Sequence, residues 1–169
     1  MNKVIYLAGG CFWGLEHLMA SLPGVVDAES GYANGRGAEL ANYPAVCTGL
    51  TGFRETVKVE YDDAVVSLEK LLRAYFAVID PTVINRQGMD MGSQYQTGIY
   101  YTDAESRATV ERMAAEEKKH HPRFYVELRA LENFFPAEEY HQDYLIKNPH
   151  GYCHISPAKM AQVRAMVGK

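Results

Sequence analysis

Residues 8–14, AGGCFWG, set a single thiol, Cys11, among glycines and beside two large rings, Phe12 and Trp13. The preceding KVIYL reads as a short buried strand. The following LEHLMASL reads as a helix, with Leu15, Leu18, Met19 and Leu22 on one face. A cysteine in the first turn of a helix meets the positive end of the helix dipole and unpaired N–H groups, and both favour thiolate over thiol. The glycines permit a tight turn and leave the sulfur uncrowded. Two readings stand open here. Cys11 is a nucleophile whose neighbouring rings line a seat for a small apolar group, or it is a small buried hydrophobe and the rings pack the helix onto a sheet.

Other residues extend the first reading. In GFRETVKVEY, residues 52–61, alternation puts Glu55 on one face with Val57, Val59 and Tyr61. Desolvation on an apolar face raises a carboxyl pKa, so Glu55 fits a general acid; at the strand's end it would instead bend to water. Tyr43 and Tyr95 stand in loop or loop-to-strand segments and offer hydroxyls to a polar oxygen. Asp90 lies in a glycine-bearing loop, where a turn cap is the plain alternative. In YHQDYL, His141 is expected on one helix face with Tyr144 and Leu145. The stretch NPHGYCHISP breaks regular structure, so Cys153 is expected on a flexible segment, as a resolving thiol requires. Cys153-His154 hints at a metal, but no second ligand pair stands at metal spacing. Cys47, without an activating neighbour, reads as structural.

These residues need a frame. Strands are expected at 3–8, 25–32, 53–61, 94–101 and 124–131. Helices are expected at 12–22, 68–79 (capped by Ser67, stopped at Asp80-Pro81), 103–119, 137–146 and 157–167. Residues 33–51 and 86–93 read as loops. Alternating strands and helices indicate an α/β layer fold. The chain of 169 residues shows no repeat or linker and reads as one domain, with a tail from about 147 to 169 carrying Cys153. Composition is 47% hydrophobic and 22% charged, with a net charge of −4. No basic stripe suggests nucleic acid, and no apolar run is long enough for a membrane span. No secretory signal is visible, so a cytoplasmic location is expected. Three cysteines are too few for a disulfide scaffold.

Taken in order, the motifs resemble the A-type peptide methionine sulfoxide reductases. The matching stretches are GCFWG at 10–14, GYANG at 31–35, Tyr43-Pro44, VCTG at 46–49, Glu55 with its strand, DP at 80–81 and NRQG at 85–88. MGSQY at 91–95, YHQDYL at 140–145 and NPHGYC at 148–153 complete them. The resemblance implies a two-layer, ferredoxin-like α/β sandwich with a mixed sheet. It also implies reduction of the S epimer of methionine sulfoxide, free or in proteins, as oxidative damage repair. By similarity, Cys11 is the nucleophile and Glu55 the acid. Tyr43 and Tyr95 hold the oxygen, and Phe12 and Trp13 house the methyl group. Asp90 and His141 hold the substrate or the site. Cys153 would form a disulfide with Cys11, which thioredoxin or another dithiol reduces. No bound cofactor or metal is implied, and a monomer is expected.

The chain departs from the family pattern in three places. No cysteine follows Cys153, Phe53 and Arg54 precede the acid's strand, and Met89 and Met91 flank Asp90. The last two departures bear on the rim of the site. Two rival readings remain at this level. One is a cysteine hydrolase with His141 or a histidine of the 120–121 pair as base, which leaves Glu55 and Cys153 without a role. The other is a redox-switched binding module, which would oxidise without turnover.

Overall fold

The computed structural model describes residues 1–168; Lys169, the last residue of the expected tail, lies outside the described residues. Strand β1 (Asn2–Ala8) leads into helix α1 (Phe12–Ala20), which returns the chain to β2 (Val25–Ala33). β3 (Arg54–Asp62) leads into α3 (Leu68–Val78), which crosses to β6 (Gly98–Tyr101). The four strands lie in the order β6-β1-β3-β2, all neighbours antiparallel. Two split βαβ units thus interleave, the ferredoxin-like arrangement. β7 (Glu127–Ala130) extends one edge parallel to β6, and β8 (Phe134–Pro136) extends the other beside β2.

Period-two alternation decides what each face meets. On β1, Ile5 and Leu7 join Val57 and Val59 of β3 in the main core, while Tyr6 and Ala8 turn to a smaller cluster behind the sheet. The main core takes Leu15, Leu18 and Met19 from α1, and Leu71, Leu72 and Tyr75 from α3. Helices α4 (Ala104–Lys118) and α6 (Pro157–Val167) add Val110, Met160 and Val163. The layers are therefore one sheet and one set of helices. Ser67 and Asp103 cap α3 and α4 as expected, accepting from the N–H groups of Lys70 and Ser106.

Several segments differ from the sequence expectation. Residues 33–51 contain helix α2 (Tyr43–Val46), nucleated by Asn42, whose side chain accepts from Ala45 N–H at 3.0 Å. The 86–93 loop folds into a small hairpin, β4 (Arg86–Gln87) against β5 (Asp90–Met91). The helix expected at 137–146 does not form. A 3-10 turn (Glu139–His141) is followed by Asp143 in the left-handed region, φ 51°, and only then by helix α5 (Tyr144–Lys147). Side chains compete with helical bonding here. Gln142 takes the place of a strand, accepting from Ser30 N–H at 2.9 Å and donating to Ser30 C=O at 2.8 Å.

Candidate active site

β1 ends at Ala8 and the chain turns through Gly9 and Gly10, the latter at φ 83°, to place Cys11 at the N-cap of α1. Gly10 is required twice. Its backbone is left-handed, and a β-carbon there would stand 2.7 Å from the Gln87 side chain. Cys11 is buried. The register of β3 brings Glu55 beneath it: Glu55 pairs across the ladder with Tyr32, and its Oε1 accepts the Phe12 N–H at 3.2 Å. The orphan N–H of the helix start thereby holds a carboxyl beside the thiol.

Glu55 does not bend to water: it is 1% exposed, and its Oε2 has no protein hydrogen-bond partner among the described residues. Burial pushes its pKa up to about 8, against the Phe12 N–H, which lowers it. At neutral pH the group is mostly a carboxylic acid. The thiolate expected at Cys11 is not what the electrostatics favour. Burial raises the Cys11 pKa well above the ordinary thiol range, Glu55 adds to it, and the Trp13 N–H only partly opposes them. Desolvation outweighs the helix end.

The rings behave as a built wall. Phe12 is buried against Tyr32 and His141, with centroids 5.8 and 5.2 Å away. Trp13 stacks on Tyr144 at 3.7 Å with planes 9° apart, and its Nε1 donates to His141 Nδ1 at 3.0 Å. That bond assigns the proton of a neutral His141 to Nε2. Burial lowers the His141 pKa, which keeps it neutral. His141 lies 4.5 Å from the ring of Tyr43, whose position is set by Glu138. That carboxylate accepts Tyr43 N–H at 2.8 Å and Tyr32 Oη–H at 2.7 Å. Tyr95 ends the 3-10 turn Ser93–Tyr95 ahead of β6. Burial raises the pKa of both Tyr43 and Tyr95, with Glu55 the next contributor in each case, so both hydroxyls stay protonated donors beside the acid.

Asp90 sits on the hairpin and accepts Tyr152 Oη–H at 3.0 Å, tying the tail to the site. Cys153 is half-buried rather than loose, and its Sγ donates to Ile155 C=O at 3.1 Å. A β-carbon on Gly14 would lie 2.9 Å from that sulfur, so the tail cysteine rests on the first turns of α1. No cysteine is in a disulfide. The structure therefore gathers Cys11, Glu55, Tyr43, Tyr95, Phe12, Trp13, His141, Asp90 and Cys153 around one helix start.

Cys47, expected as structural, is exposed. Phe53 is fully buried against the ring-filled space over Gly35, and Arg54 pairs with Glu127 at 3.0 Å. Met89 and Met91 are 91% and 73% exposed on the hairpin that carries Asp90. His121 is bound to Glu117 at the end of α4. Among the described residues, no three His, Cys, Asp or Glu side chains gather at metal-binding distance.

Three supporting residues escaped the sequence reading. Glu138 fixes Tyr43, and Gln142 fixes the His141 turn. Glu16, buried on α1, accepts Asp143 N–H at 2.9 Å and so holds the left-handed residue between His141 and Tyr144. Burial pushes the Glu16 pKa up to about 7, the Asp143 N–H opposing it. The only sequence signal for Glu16 is a lone carboxylate in an apolar helix.

The sequence model of the peptide methionine sulfoxide reductase family matches residues 3–167. The chain is 49% identical over 156 residues to the peptide methionine sulfoxide reductase MsrA of Clostridium perfringens, covering 92% of this chain and 98% of the relative. Its structure is similar to Mxr1 from Saccharomyces cerevisiae in reduced form, with a TM-score of 0.87, 36% identity, and coverage of 92% and 91% of the two chains. Mxr1 in complex with Trx2 is also similar, with a TM-score of 0.60, 26% identity, and coverage of 85% and 84%. With the match running almost from end to end in both sequence and fold, the chain belongs to the peptide methionine sulfoxide reductase family and is an enzyme that reduces methionine sulfoxide.

Proposed function

We propose that the chain reduces the S epimer of methionine sulfoxide, free or in proteins, with Cys11 as nucleophile and Glu55 as general acid. The observation that carries this is Glu55: a buried, protonated carboxyl held on the backbone of the nucleophile's own helix. A sulfoxide oxygen leaves sulfur only when protonated. Glu55 gives its proton to that oxygen as the Cys11 sulfur attacks the sulfoxide sulfur, and it regains a proton from the thiol. The oxygen ends on Cys11 as a sulfenic acid, and the thioether departs as methionine. Proton exchange between two neutral buried groups avoids leaving an isolated charge in an apolar site.

Tyr43 and Tyr95 donate to the oxygen, and Phe12 and Trp13 seat the methyl group. His141 holds the Trp13 wall, and Asp90 holds the tail against the site through Tyr152. Cys153 then attacks the Cys11 sulfenic sulfur. The S–S bond forms, the S–O bond breaks, and water leaves. The complex of the relative Mxr1 with Trx2 supports thioredoxin, or another dithiol, as the reductant of that disulfide. A cytoplasm that keeps thiols reduced suits three free cysteines.

The test is stereochemical. The protein is incubated with separate S and R epimers of methionine sulfoxide and a dithiol, and methionine is quantified. Methionine from the S epimer alone is expected; methionine from neither epimer would overturn the assignment.

A further inference from the structure

GCFWG carries a glycine at each end, and the structure shows what both make room for. A β-carbon on Gly10 would stand 3.5 Å from His154 Nε2. One on Gly14 would stand 3.4 Å from His154 Nδ1, as well as 2.9 Å from Cys153 Sγ. The imidazole therefore lies across the start of α1, spanning the residues that flank Cys11. Its ring and the Cys153 sulfur press on the same point of the helix. Both ring nitrogens are buried, and neither meets a partner in good hydrogen-bond geometry among the described residues, the Gly9 backbone giving only a weak contact. An imidazole whose nitrogens are buried with so little hydrogen bonding is costly, and such a group calls for a role.

We infer that His154 is the proton acceptor that activates Cys153 for its attack on the oxidised Cys11. This rests on Cys153 being the resolving thiol. Cys153 needs such help, because burial raises its pKa above the ordinary thiol value and the thiolate is the attacking form. Burial lowers the His154 pKa, with Asp90 and the Gly9 backbone opposing, so the imidazole is a neutral base near pH 7. The charged group that acts on it is Asp90 from the hairpin, with the Gly9 backbone beside it, while Cys153 precedes it on its own segment. In the step, the Cys153 thiol leaves its bond to Ile155 C=O and its proton passes to His154. The thiolate forms the S–S bond to Cys11, and the departing hydroxide takes the proton from the imidazolium and leaves as water. No external oxidant or reductant enters, since the two electrons pass from Cys153 to the sulfenic sulfur.

The test is a single turnover without reductant, comparing the parent with His154→Gln and His154→Ala. The S epimer is added, and methionine and the Cys11–Cys153 disulfide are followed by quenching and peptide mapping. The ratio of disulfide rate to methionine rate is expected to fall about tenfold or more at pH 7 in both variants, since a positioned base contributes about 10²–10⁴-fold. The deficit should shrink as pH rises toward Cys153's own ionisation, and added imidazole should restore the rate in His154→Ala. An unchanged ratio in both variants overturns the inference. So does a deficit that neither pH nor imidazole relieves, since that marks packing alone. A parent protein that makes methionine but no Cys11–Cys153 disulfide overturns the resolving role itself and the inference with it.

Discussion

The two cysteines of the site are held in opposite ways. Cys11 is fixed by regular structure: a strand end, a left-handed glycine and the N-cap of α1, with Glu55 delivered by ladder register. Cys153 is held by single contacts in a segment without regular structure, namely its own bond to Ile155, Tyr152 on Asp90, and the glycine face of α1. The first arrangement suits a reaction that needs an invariant geometry among sulfur, acid and substrate. The second suits a thiol that must leave its place to meet another sulfur, because few bonds have to break.

The sharpest way to break this comparison is to remove each thiol. Cys11→Ser is expected to abolish methionine formation, while Cys153→Ser is expected to yield about one methionine per protein and then stop with thioredoxin. Steady thioredoxin-driven turnover in Cys153→Ser would erase the distinction between the two sites. Next in size is Glu55→Gln, expected to slow the single-turnover reduction step by roughly 10²-fold, the usual scale for a positioned acid. An unchanged rapid-quench rate would remove Glu55 as the acid.

The smallest effect concerns stability. Glu16 titrates at about 7 in the folded protein against an ordinary value of 4.5. A raised carboxyl pKa means the folded state binds more protons than the unfolded one between those values. Its stabilising contribution is therefore complete at low pH and is lost as pH rises through about 7. Glu16→Gln keeps an acceptor for Asp143 N–H and removes the titration. Relative to the parent, this variant should be more stable at pH 8 than at pH 5 in denaturant melts. An identical difference at both pH values would mean Glu16 does not titrate in that window.

Where the chain forms regular structure, the sequence by itself was nearly sufficient. Alternation in β3 put Glu55 on the apolar face, the 3.6 period drew α3, and Ser67 and Asp103 marked their helix starts, because these signals are local and repeat. The order of motifs singled out the residues that gather at the site. Tertiary structure decided the rest. It kept Cys11 a thiol, since burial and a neighbouring carboxyl outweigh a helix end that sequence reading sees alone. It broke the helix expected at 137–146, because Glu16 binds the Asp143 backbone and the Gln142 side chain binds the Ser30 backbone, each across more than 100 residues. It also packed Phe53 over Gly35, paired Arg54 with Glu127 and set His154 beside the helix that carries Cys11. Periodicity records which face a residue presents. Desolvation and long-range side-chain bonds depend on what the fold brings against that face, and no local pattern carries that.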